Sequence, residues 1–161
     1  MKQLDDFRPM FELALVGLLN NWRVWFGEDE LKAMHIGFDI SNTEISVSLL
    51  TDREPYLEEQ EMEPFDEPWP TADWRLTSVN ETANHMFPDI APLFDWLETQ
   101  ANALDEDELD DLNKNLKAFI FSVATNELVI ARLKKFTNYS KPLKIRVASF
   151  FDSEPLDFEL Q

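Results

Sequence analysis

The chain has 161 residues, 44% of them apolar, and carries 32 acids against 14 bases for a formal charge of −18. That size suits one domain with one core, residues 1–161. The negative field excludes ordinary binding to phosphate backbones or anionic membrane surfaces, and the absence of cysteine excludes disulfides, thiolate catalysis and cysteine zinc sites.

The first element is a helix. Phe7, Met10, Phe11, Ala14, Leu15, Leu18, Trp22 and Phe26 recur at three- and four-residue steps and share one face. Asp5 and Asp6 suit the positive end of its dipole. Pro9 is compatible only with the first turn, so the helix begins at residues 6 to 8, and Gly27 ends it. Leu19, Val24 and Trp25 widen the apolar face.

Two strands follow. Met34, Ile36, Phe38 and Ile40 alternate with polar or small residues, as do Ile45, Val47 and Leu49. The Asn42-Thr43 turn between them makes the pair a hairpin with one core face and one polar face. Residues 52–73 change character: acids surround Tyr56, Leu57, Met62, Phe65 and Trp69, and Pro55, Pro64, Pro68 and Pro70 prevent a long helix. A loop of this length is unusual in a compact domain and tends to serve a function. Residues 74–77 are expected to return as a short strand. Ser78 and Glu81 match a capping box for a short helical piece through Met86.

A helix begins at Asp89 or Ile90 with Pro92 in its first turn. Leu93, Phe94, Leu97 and Ala101 form its apolar face, flanked by Trp96. Asp105 caps the next helix, whose acids Glu106, Asp107 and Glu108 favour its N-terminus. That helix either breaks at Thr125 or Asn126 or continues with a kink to Phe136. Asn138 to Pro142 reads as a turn and residues 143–151 as a strand. Residues 153–161 either add an edge strand or fray. Trp25, Phe150 and Phe151 read as core rather than a dimer face, and oligomeric state stays open. The order predicts an α+β domain, a mainly antiparallel sheet with helices packed on one face.

Catalytic and metal signals are weak. His35 falls on the polar side of a strand and His85 in a helical piece, with no third ligand near either. Asp105, Asp107 and Asp111 fail as a calcium loop, since Asp110 stands where glycine is required and Leu116 where glutamate is. Three glycines and no G-x-S-x-G leave no phosphate cradle or nucleophile elbow. The chain is expected to be no enzyme and to need no cofactor or metal. No apolar run reaches the roughly 20 residues of a spanning helix, and MKQLDDFRPM lacks a signal-peptide apolar stretch, so a cytoplasmic location is expected.

Charge is unevenly spread: 27 acids against 6 bases up to residue 113, and 5 against 8 beyond. Aromatic rings among carboxylates suit a basic protein partner, the rings giving desolvated contact and the charges steering encounter. The residues singled out for partner binding are Glu61, Glu63, Phe65, Asp66, Glu67, Trp69 and Asp73. The stretches HIGFDISNTEISVSLL, EPFDEPWPTADW and KIRVASFFDSEP, in a small acidic cysteine-free chain, resemble the small bacterial immunity proteins of polymorphic and contact-dependent toxin systems. The resemblance implies stoichiometric neutralisation of a toxin, and a basic, nuclease-type domain is the expected partner. It carries over no functional residue position by position. A nucleic-acid mimic, an adaptor and a small carboxylate enzyme are the competing functions.

Overall fold

The computed structural model describes residues 3–26, 28–52, 76–79, 90–136, 138–150 and 154–161. A 3-10 turn, Leu4–Phe7, leads into α1, Arg8–Phe26, so the first helix starts where Pro9 requires. Asp6 Oδ2 accepts from Gln3 N at 2.9 Å and closes the entry turn. Phe11, Ala14, Leu15, Leu18, Leu19 and Trp22 are buried, giving α1 the wide apolar face expected. Val24 does not extend it, being 80% exposed. Two steps of about 100° from Trp22 carry it to the opposite side. The side chains of Trp25 and Phe26, and Gly27 itself, lie outside the described residues.

The predicted hairpin forms from β1, Glu30–Asp39, and β2, Glu44–Thr51, joined through Ile40–Thr43. Asp39 holds the turn, its carboxylate accepting from Ser41 N at 2.9 Å and Asn42 Nδ2 at 2.6 Å. Thr43 N donates to Ile40 O at 3.1 Å, and Thr43 sits at φ 51°, a left-handed backbone costly for a β-branched residue. Met34, Ile36 and Phe38 face the core beside Ile45, Val47 and Leu49. The polar face is polar as expected but not solvated: His35, Ser46 and Ser48 are all buried. Phe150 and the Arg146–Asp157 pair lie on this face.

The return strand is β3, Leu76–Val79, paired antiparallel to β2. Ser78 therefore belongs to a strand rather than to a helix cap: its backbone is extended opposite Val47. Residues 80–89, including His85, lie outside the described residues.

Three helices follow: α2, Ala91–Ala103, α3, Glu106–Ala124, and α4, Glu127–Leu133. Pro92 sits in the first turn of α2. Asp105 and Glu108 form a reciprocal capping box on α3: Glu108 N donates to Asp105 Oδ1 at 3.0 Å, and Asp105 N to Glu108 Oε2 at 3.1 Å. Of the two alternatives at Thr125 and Asn126, the chain takes the break. Asn126 caps α4 by accepting from Val129 N at 2.9 Å, and its amide donates to Glu12 of α1.

The last strands are β4, Asn138–Ser149, and β5, Leu156–Leu160. The turn expected at 138–142 is instead the start of β4. Asn138 and Tyr139 pair with Glu30 and Leu31, and pairing resumes at Ala33 with Lys144. The intervening residues, with a cis Lys141–Pro142 bond, form an irregularity within the strand. Turn-forming residues here interrupt the ladder without ending it. The tail adds the edge strand that was one of its two expected fates.

Among the described residues the sheet order is β3-β2-β1-β4-β5, with β1 and β4 parallel and the other pairings antiparallel. The sheet is thus mixed but mainly antiparallel, in an α+β fold. Its core face joins Leu143, Ile145 and Val147 to residues of all four helices in one hydrophobic cluster. Phe150 is not core as expected, but 44% exposed. Its ring lies over Gly37, where an added Cβ would stand 2.5 Å from Phe150 Cε1. Phe151 lies outside the described residues.

Candidate functional site

The seven residues singled out from the sequence, Glu61, Glu63, Phe65, Asp66, Glu67, Trp69 and Asp73, lie outside the described residues. Their flanks are described. β2 ends at Thr51, and Leu76 of β3 pairs with Leu49. Glu30 N donates to Asp52 Oδ1 at 2.8 Å, so the departing flank is tied to the start of β1. Asn138, the first residue of β4, pairs with Glu30 at that same end. The exposed Lys134 and Lys135 stand four and three residues before it in the chain, and Lys141 three after.

The opposite end of the sheet carries a different arrangement. β1 and β4 run parallel, and their carboxyl ends, Asp39 and Ser149, lie nearly level. From β1 the chain turns towards β2 on one side; from β4 it turns towards β5 on the other. Departures in opposite directions leave space outside the two strand ends. Here it is a cleft of about 740 Å³, walled by Asp39, Ser41 and Ser149 from the sheet and by α2 and α3. Asn102, Asp110, Asn113, Lys114 and Lys117 face it from those helices, and Glu154 closes it beyond β4. Lys117 Nζ donates to Glu154 O at 2.7 Å and pins the chain after β4 to α3.

Next to this cleft, α3 begins with Glu106, Asp107, Glu108, Asp110 and Asp111, all exposed, preceded by exposed Asp105. The ion pair Asp111–Lys114, at 3.6 Å, is the one formed by this run among the described residues. Carboxylates are favoured here by the helix dipole and satisfied locally by the capping box. The surface they make is nonetheless a fixed patch of negative potential on a rigid element. With 19 residues, α3 is about 28 Å long. The acidic start therefore stands well away from the cations around Lys134, beyond a Debye length of about 8 Å at physiological salt.

Chemically the cleft offers carboxylates, amines, amides and hydroxyls; neither histidine lines it among the described residues. Among those residues no group of three or more His, Cys, Asp or Glu is placed to hold a metal ion. His35 is elsewhere, in a polar row across the sheet formed by Ser48, His35, Arg146 and Asp157 in register. Burial first, then the Arg146 charge, lowers its pKa to about 3, with Asp157 opposing. Arg146 holds Asp157 through two bonds, Nε to Oδ1 and Nη2 to Oδ2, each 2.7 Å.

Sequence reasoning missed the cleft because its lining comes from β1, α2, α3 and the end of β4, which no local spacing connects. The readable signal was the acidic run at 105–111. Compared with family models, curated proteins and solved structures, the chain matches none.

Proposed function

We propose that the chain is a non-catalytic acidic binding protein that neutralises a basic protein, in the manner of an immunity protein meeting a nuclease toxin. The observation that carries this reading is the block of exposed carboxylates at the start of α3, presented on a capped helix beside an open cleft. Nuclease domains need positive surface to hold phosphates, and an acidic patch on a rigid element complements it. The chain's overall charge of −18 adds long-range steering towards a cationic partner. The segment with Glu61, Glu63, Phe65, Asp66, Glu67, Trp69 and Asp73 is the second arm of the proposal, supplying aromatic anchors as well as charge.

The test is direct. The tagged chain captures partners from its native host at low salt, and the captured protein is purified and its activity titrated. The proposal expects a basic partner, inhibition complete at one equivalent, and an association rate that falls as salt rises. The triple variant Asp107→Lys, Asp110→Lys, Asp111→Lys should slow association at least tenfold at low salt; Asp66→Lys, Glu67→Lys, Asp73→Lys tests the second arm. A neutral or acidic partner, or a rate indifferent to both sets, refutes the reading. A basic partner bound with its activity intact makes the chain an adaptor.

A further inference from the structure

A second cavity, of about 560 Å³, lies between the Leu4–Phe7 turn, α2 and α3, away from the sheet. Its walls are unlike those of the cleft. Trp96, Leu112 and Phe119 give it an apolar lining, and among the described residues that line it Arg8 is the one cation. Trp96 is held by Phe7, ring centroids 5.6 Å apart, and Phe119 by Phe11 at 5.8 Å, so the aromatic walls are braced from the core.

Arg8 is positioned with care. Nη2 donates to Asp5 Oδ1 at 3.2 Å and to Ser122 Oγ at 2.9 Å, and the guanidinium lies over the Phe119 ring, 5.5 Å from its centroid. Ser122 Oγ in turn donates to Phe119 O at 2.8 Å, which fixes its lone pair towards Arg8. An arginine has five N–H donors. Both protein bonds fall on one nitrogen, so Nε and Nη1 are not engaged among the described residues. The side-chain amides of Gln100 and Asn115 line the same cavity and are likewise unengaged among those residues. An apolar pocket with a few convergent polar groups is the ordinary form of a small-molecule site.

The geometry points to a binding site for a small organic carboxylate with a flat apolar body, an aryl or indolyl acid. The ring packs between Trp96 and Phe119. One carboxylate oxygen accepts from Arg8, and the amides of Gln100 and Asn115 are donors for the other. The chain's negative field does not forbid this. Of the nearest acids, Asp5 is paired with Arg8 at 3.2 Å, and Asp111, one turn before Asn115, is paired with Lys114 at 3.6 Å.

The probes are 2-naphthoate and indole-3-acetate, with 2-naphthalenemethanol as the neutral control, titrated into the intact chain by calorimetry and by Trp fluorescence. Saturable 1:1 binding of the acids is expected, at least tenfold tighter than the alcohol. Arg8→Gln should weaken the acids at least tenfold and leave the alcohol unchanged. Because Arg8 also ties the entry turn to α3, the exposed Asn115→Asp provides a second variant. It adds a repelling carboxylate, leaves Arg8 in place, and should weaken the acids while melting like the parent. Equal affinity for acid and alcohol, affinity unchanged in both variants, or no saturable binding up to about 10 mM overturns the inference.

Discussion

Among the described titratable residues, His35 is the one whose proton affinity its surroundings clearly change. Its imidazole stays neutral in the folded chain down to about pH 3, whereas an ordinary imidazole takes up a proton near 6.5. Between those values the unfolded chain binds more protons, so stability is full above about pH 6.5 and falls as pH drops towards 3. The limiting slope is about 1.4 kcal/mol per pH unit. Urea denaturation of the parent and of His35→Gln from pH 4 to pH 8 should show the shallower acid limb in the variant; parallel limbs would refute the assignment. Gly37, two residues on, is a packing constraint rather than a turn. Gly37→Ala pushes against the Phe150 ring and should cost about 1–3 kcal/mol. Gly37→Ala combined with Phe150→Ala should recover part of that loss, a coupling that a double-mutant cycle reads directly. At Thr43 the strain is in the backbone, and Thr43→Gly should stabilise the hairpin by about 1 kcal/mol.

At the scale of elements, the caps decide where helices begin. Asp105→Ala removes one half of a reciprocal box and should cost about 1 kcal/mol by thermal or chemical melting. Asn126→Ala should cost more, because the same side chain caps α4 and reaches Glu12 on α1. These boundaries were legible because capping is local: the acid or amide, the helix period and the break at Thr125 all lie within a few residues. The hairpin was legible for the same reason. What local pattern misread was context. Asn138–Pro142 has turn chemistry, yet β1 offers it a pairing edge, and the ladder continues around the irregularity. Ser46, Ser48 and His35 have the alternation of a solvated face, yet they are buried. The cleft was not legible at all, since its walls meet only after the sheet has closed.

Across the whole molecule, charge and topology act together. A formal charge of −18 repels itself, so added salt should raise the melting temperature even as it slows capture of a cationic partner. Scanning from about 20 mM to about 500 mM NaCl measures the first effect, and a flat response would mean that the acids are already neutralised within the fold. The central pairing of the sheet, β1 with β4, joins residues about a hundred positions apart in the chain. During synthesis the early hairpin must therefore wait, one flank of β1 without its neighbour, while the ribosome supplies everything up to Ser149. Such long-range closure slows folding, and the nascent chain spends that interval as the species most open to proteases and chaperones.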